Sequence, residues 1–321
     1  MPKRFAALAC AVLALLLTAC GGAAQQGGRT STSIVLNWFP EPEHGEFFGA
    51  QVSGAYKKAG LDVKIVSGGP QVSAVQLVAS GKADFGISDG DSIALARSQG
   101  IPVVAVAADF QTNPQILLYH PDSGISKPQD MSGHTVYVSP GVNFWPYFKK
   151  KYGIKPAKEV AYNGSLAPFL ADKGAINQGY VTSEPYTLEH EHHTPVKWFL
   201  NADLGYNPYV TTFTTERMIK EHPDVVRKFV QTSVKGWDYY FAHWKQVNTA
   251  IGKQNRDMSQ GQMAYTAGVM KPLVYGKGGV AGTMTSQRWT TLIDQLTQTG
   301  ALKQGAVKPS SCFTTDYVKQ S

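Results

Sequence analysis

Cysteine is scarce in this chain: three in 321 residues. Cys10 and Cys20 fall in an apolar N-terminal stretch and Cys312 stands alone near the far end, so no disulfide framework is available. Cys312 is expected as a buried small hydrophobe. No later apolar run approaches the ~20 residues a membrane-spanning helix needs. Basic residues exceed acidic ones, 30 against 23, but they are scattered; Lys149-Lys150-Lys151 is the only run. Without a basic stripe, nucleic-acid binding is excluded. No glycine-flanked serine nucleophile occurs. Glu189-His190-Glu191-His192-His193 lacks the spacing of a zinc helix and is expected to be a solvated helix end, so no metal site is assigned. Gly276–Gly282 is too irregular for a phosphate loop, and no internal repeat is present.

What is present begins with an export signal. Lys3 and Arg4 precede an apolar segment, Phe5–Leu17, and Leu17-Thr18-Ala19-Cys20 matches the bacterial lipobox. Residues 1–19 are expected to be a cleaved signal peptide and Cys20 the acylated N-terminus. Residues 20–33, rich in Gly, Ala, Gln, Ser and Thr, are expected to be a flexible tether of roughly 20 Å. Loss of Lys3 and Arg4 lowers the formal charge from +7 to +5. The body is then exported and held to the extracytoplasmic face of the cell membrane by lipid. Its composition, 43% hydrophobic and 17% charged, suits a globular fold, and the length suits two domains.

The hydrophobic period alternates between strand and helix. Strands are expected at 34–37, 61–66, 84–87, 101–108 and 115–119, with helices over 46–59, 71–80 and 91–98 between them. That rhythm predicts a parallel α/β sheet. His120–Gly124 breaks it and is expected to cross into a second lobe. There, strands are expected at 135–138, near 178–181 and 196–199, with a helix over 143–152. Asn201–Pro208 is the expected return. A long helix opens at Pro223, its inner face marked by Val226, Phe229, Val230, Ser233, Trp237, Phe241 and Trp244. Ser259 and Gln262 are expected to form a capping box for the next helix, and a last helix carries Trp289, Leu292, Ile293 and Leu296. The expected fold is α/β and bilobed, of the type II periplasmic-binding-protein kind. Lobe 1 takes 33–120 and 208–321, lobe 2 takes 121–207, and a two-segment hinge joins them.

Ligands of open α/β sheets bind where strands end. The first strand ends in Asn37-Trp38: an indole suited to stacking on a planar ring and an amide able to read a ring-nitrogen edge. Trp38 as core packing and Asn37 as a turn cap are the alternatives. His44 follows on the same loop. Other strand-end loops carry Asp89 and Asp91, the latter also a plausible N-cap, then Asn113, then Asn143 with Trp145, then Glu184 with Tyr186. These loops hold carboxylates, amides and aromatics, and no arginine. A neutral or partly cationic planar ligand with N–H donors fits them. A small anion would call for arginine or for backbone donors at a helix start.

The chain resembles the substrate-binding lipoproteins of ABC importers, in the cluster of nitrate, taurine and aliphatic-sulfonate binders and thiamine-precursor (pyrimidine) binders. Leu36-Asn37-Trp38-Phe39-Pro40 with Glu43-His44-Gly45 carries the resemblance. So do Asp84-Phe85-Gly86-Ile87-Ser88, the stretch from Ala96 to Val103, Pro121-Asp122-Ser123-Gly124-Ile125, Tyr180-Val181-Thr182-Ser183-Glu184-Pro185 and Ala202-Asp203-Leu204-Gly205-Tyr206. The resemblance implies ligand contacts from Asn37, Trp38 and Glu184, a permease and its ATPase as partners, a monomeric body and no cofactor. Relatives acting as pyrimidine synthases use a cysteine-rich motif with nearby histidine and lysine. This chain has no such cluster, which implies a binder rather than an enzyme. A surface adhesin or sensor on the same fold is a third reading.

Overall fold

The computed structural model describes residues 29–318; the signal peptide, Cys20 and most of the tether lie outside them. Ten strands form two five-stranded sheets. The first contains β1 (Thr30–Val35), β2 (Leu61–Val66), β3 (Phe85–Asp89), β4 (Val103–Phe110) and β10 (Val210–Thr215), ordered β2-β1-β3-β10-β4. The second contains β5 (Gln115–Tyr119), β6 (Thr135–Val138), β7 (Lys158–Ala161), β8 (Ile176–Tyr180) and β9 (Lys197–Leu200), ordered β7-β6-β8-β5-β9. Each sheet keeps a parallel trio beside a strand of opposite sense. β10 runs antiparallel between β3 and β4, and β5 antiparallel between β8 and β9.

Four expectations need correction. The sheets are mixed, because each of the two strands that re-enter a sheet after a crossing runs against its neighbours. The first crossing comes earlier than His120–Gly124: β5 is hydrogen-bonded into the second sheet, so the chain leaves the first at 111–114. Residues 30–33 are strand rather than tether, paired with Leu61–Lys64 and tied by Thr32 and Ser33 to the Asp84 carboxylate. The helix expected over 46–59 is two helices, Gly45–Val52 and Ala55–Lys58, parted at Gly54, whose φ of 73° ends the first. The return crossing falls between β9 and β10, as expected. The crossings lie side by side: the Asn113 N–H donates to Asn207 Oδ1 at 2.8 Å.

The Pro223–Gln254 helix anchors the loop that follows β1. Its Phe229 ring stacks on Phe47, Tyr56 and Phe85, with centroids 6.1, 5.7 and 4.0 Å away. The Gly45–Val52 helix crosses it at Gly49 and Gly236, where a Cβ on either glycine would strike the other helix's backbone. That close approach fixes residues 37–44 against a rigid support. Among the other aromatics expected on that face, Trp237 is buried and Phe241 and Trp244 are half-buried. The Ser259 hydroxyl accepts from the Gln262 N–H, but the Gln262 amide donates to Ser183 Oγ instead of reaching back, so only half of the expected capping box forms. Cys312 is fully buried, and burial pushes its thiol up to about 11, so it is inert core.

Candidate functional site

The loop after β1 is organised by one neutral imidazole. His44 is 2% exposed, and burial pushes its pKa down to about 3. Its Nδ1 accepts from the Glu41 N–H at 3.3 Å. The proton therefore sits on Nε2, which donates to Asn37 Oδ1 at 2.9 Å. With its oxygen so engaged, Asn37 keeps its amide N–H₂ to offer elsewhere. Trp38 is 38% exposed with its ring 5.6 Å edge-on from Phe39, so it is not core.

Around this loop the two lobes bring carboxyl groups together. Glu41 and Glu43 come from the first lobe and Glu184 from the end of β8 in the second. Glu41 is raised well above the ordinary range by burial, then by the charges of Glu43 and Glu184. Glu43 is pushed up to about 7 by burial, with Glu184 adding to it and the Thr182 hydroxyl opposing. Glu184 is raised by burial, although it accepts from the Tyr180 N–H at 2.6 Å and the Tyr162 hydroxyl at 3.4 Å. Burial, then the Asp89 charge, raises the Tyr180 phenol well above its ordinary value, with smaller contributions from Glu41 and Glu43. No lysine or arginine figures among the influences on the three glutamates, and the ion pairs of the described residues lie elsewhere. Glu41, Glu43, Tyr162, Tyr180 and Thr182 were not among the site candidates. The first strand-end loop was read through Asn37, Trp38 and His44, and tyrosine in β8 looks like strand packing.

Other expected site residues are already occupied. Asp91 Oδ1 accepts from the Ser92 N–H at 2.7 Å, and Oδ2 from Asn143 Nδ2 at 3.0 Å and the Tyr206 hydroxyl at 2.8 Å. Asp91 and Asn143 thus tie the lobes to each other. Asp89 accepts from Asn113 Nδ2 at 3.0 Å and Gln115 Nε2 at 3.4 Å; burial and the Asp91 charge push it up to about 8. Asn113 also accepts from the Gln115 N–H. These residues belong to the crossing rather than to open binding surface. Trp145 is 1% exposed inside an apolar cluster with Phe144, Phe148 and Tyr206, so it is a core residue and leaves the candidate site. Tyr186 stacks on His190 at 4.4 Å and packs against Gly261, in a segment docked on the Gln260–Tyr275 helix. There the Gln262 amide donates to Ser183 Oγ, and the Tyr265 and Thr266 hydroxyls donate to the carbonyls of Val181 and Thr182. The Glu189–His193 run is exposed, as read.

A cavity of about 450 Å³ lies beside the same strand ends, between the Ala74–Ala79 and Gly90–Ser98 helices, with Asn37, Ser73, Ser88 and Ser92 on its wall. Asn37 belongs both to the imidazole network and to this cavity. A further acid pair lies deeper: Glu46 and Asp109 are 1% and 2% exposed, burial and then the Asp109 charge raise Glu46 well above the ordinary carboxylate range, and Thr212 donates twice to Asp109 Oδ1.

This is the architecture of the periplasmic binding proteins. The periplasmic aliphatic sulphonate binding protein SsuA of Escherichia coli superposes with a TM-score of 0.71 at 12% identity, over 91% of this chain and 94% of that one. A family model described as NMT1/THI5 like matches residues 41–246, and the chain belongs to that family. The formylaminopyrimidine-binding protein of Halalkalibacterium halodurans is 25% identical over 249 residues, 74% of this chain and 75% of that protein. The 4-amino-5-hydroxymethyl-2-methylpyrimidine phosphate synthase THI13 of Saccharomyces cerevisiae is 28% identical over 252 residues, 72% of this chain and 74% of that protein. Among the described residues no helix is long and apolar enough to cross a membrane.

Proposed function

We propose that this chain is the solute-binding lipoprotein of an ABC importer. Cys20 carries the lipid, and the body works as a monomer on the extracytoplasmic face of the cell membrane. It closes on a small planar nitrogen-containing molecule of the pyrimidine, thiamine-precursor type and delivers it to a permease driven by an ATPase. One observation supports the ligand class above the rest: the strand-end loop offers an exposed indole and a free amide N–H₂ beside carboxyl groups from both lobes, with no arginine. A ring with N–H donors satisfies those groups, whereas a sulfonate would find no cation among them. Contacts made to both lobes at once exist only in the closed form and so favour closure. The pyrimidine-binding relative agrees with this class. The synthase relative raises the alternative of an enzyme; a binder is preferred because Cys312, buried and inert, is the one cysteine among the described residues. The test is mass spectrometry of the small molecule that co-purifies with the intact protein. A pyrimidine or related heterocycle is expected; a sulfonate or nitrate overturns the ligand class.

A further inference from the structure

The cavity of about 450 Å³ beside Asn37 is lined without a single charged side chain. Its polar lining is the hydroxyls of Ser73, Ser88 and Ser92 and the amides of Asn37, Gln76 and Gln99; its apolar lining includes Val75, Ile87, Leu95 and Ile101. Several of the polar groups have capacity to spare. Asn37 engages only its oxygen, and Ser73 Oγ accepts from the Gln76 N–H, so both keep protons to donate. Ser88 and Ser92 bond within the protein through their backbones, which leaves both hydroxyls open. The cavity is also joined rigidly to the indole loop. The Gly68 N–H donates to the Trp38 carbonyl at 3.0 Å, and a Cβ on Gly68 would strike the backbone of Leu36, Asn37 and Trp38. The Val72 N–H donates in turn to the Gly69 carbonyl, so the turn that leads into the cavity wall is fixed against the end of β1. Resting on the binding role proposed above, we infer that the ligand is nucleoside-like: a pyrimidine ring at Trp38 carrying a neutral, hydroxylated substituent of pentose size that lies in this cavity.

Size and chemistry both favour such a substituent. Cavities of about 300–1,000 Å³ hold drug-sized ligands, and a single ring stacked on Trp38 leaves this one unused. From Ser92 to Gln99 its lining follows the Gly90–Ser98 helix for roughly 10 Å, ample for a five-carbon sugar. Serine hydroxyls and amides exchange hydrogen bonds with sugar hydroxyls in both directions, while the apolar side chains cover the sugar's C–H faces. An alkyl chain would leave the open hydroxyls and amides without partners. A phosphate finds no cation in the lining. The start of the Gly90–Ser98 helix is also closed to it: Asp89 is the N-cap and Asp91 stands in the first turn, with Oδ1 on the Ser92 N–H.

The test is calorimetry on the full mature protein with cytosine, cytidine and cytidine monophosphate, which share one aminopyrimidine ring, and with 4-amino-5-hydroxymethyl-2-methylpyrimidine as the reference. Cytidine is expected to bind at least tenfold tighter than cytosine and at least tenfold tighter than its monophosphate. Ala96 lines the cavity, and Ala96→Phe, which fills it, should reduce the advantage of cytidine over cytosine to about twofold or less. The wild-type ratios need no substitution, so a variant that failed to fold leaves the test intact. Equal affinity for cytosine and cytidine, binding of the reference pyrimidine alone, or an advantage that survives in a folded Ala96→Phe protein overturns the role of the cavity and leaves the pyrimidine reading standing. A monophosphate bound as tightly as cytidine overturns the neutral substituent. Binding of none of the four overturns both readings.

Discussion

Two acid pairs sit at strand ends of the first lobe, three residues or fewer apart in each case, and the chain uses them oppositely. Asp89 and Asp91 are saturated: five donors from Ser92, Asn113, Gln115, Asn143 and Tyr206 reach their oxygens. Glu41 and Glu43 are not. Glu41 is pressed by two other carboxyl groups, and among side chains only the Thr182 hydroxyl opposes the rise of Glu43, to which the Glu184 charge adds. A carboxylate whose lone pairs are filled by the protein is a strut, whereas a buried one left open is poised for something that arrives. Sequence alone makes the two pairs look alike. The partners that separate them come from residues about 20 to 115 positions away.

The sharpest way to break the comparison is to empty the strut. Asp91→Ala leaves Asn143 Nδ2 and the Tyr206 hydroxyl without an acceptor, and each orphaned buried donor costs ~1–3 kcal/mol. Urea unfolding should show a loss of about 2–4 kcal/mol. A loss under about 0.5 kcal/mol, the level of an ordinary surface change, would mean that Asp91 ties nothing. Next in size is Trp38→Ala, expected to weaken pyrimidine binding at least tenfold, about 1.4 kcal/mol, with folding intact. Unchanged affinity by calorimetry removes the indole from the site.

The open pair should reveal itself through pH. A carboxyl group raised in the folded state binds more protons there than in the unfolded chain, so its contribution is full below the unfolded value and is lost as pH rises through the folded one. Glu43 and Asp109 rise to about 7 and Asp89 to about 8, with Glu41 and Glu46 shifted the same way. The ligand-free protein is therefore expected to lose thermal stability from about pH 4.5 to pH 8. Glu43→Gln should make that slope shallower; an unaltered slope would separate Glu43 from it. The smallest effect belongs to His44→Ala, which frees Asn37 to rotate. A few-fold loss of affinity is expected, roughly 1 kcal/mol, and no change would show that Asn37 holds its orientation unaided.

Much of the fold was legible because apolar period reports which face is buried. The parallel trio of the first lobe, the long helix at Pro223 and the return crossing were all readable in this way. β10 was not. Val210-Thr211-Thr212-Phe213-Thr214-Thr215 is wholly buried between β3 and β4 of the first sheet, yet four threonines hide it from a hydrophobicity scan. Their hydroxyls are satisfied locally, on the Ser88 and Asp84 carbonyls and the Asp109 carboxylate, which is why a polar strand can lie there. Missing β10 hid the antiparallel strand that follows the return crossing, and β5 was placed in the wrong lobe because an apolar strand does not announce which sheet it joins. In the site, Asn37, Trp38 and Glu184 were readable as strand-end chemistry. Glu41 and Glu43 were quoted among the turn residues and passed over, since nothing local distinguishes a buried open carboxylate from a solvated one.

A crystal structure with 4-amino-5-hydroxymethyl-2-methylpyrimidine bound tests the central claim most directly. The ring should lie against Trp38, with a nitrogen roughly 3 Å from Asn37 and a donor at similar distance from Glu43 or Glu184, while Asp89 and Asp91 keep their present partners. A ring bound away from Trp38 with no donor near Glu43 or Glu184, or one bound to Asp91 after the lobe-to-lobe tie has come apart, would contradict it.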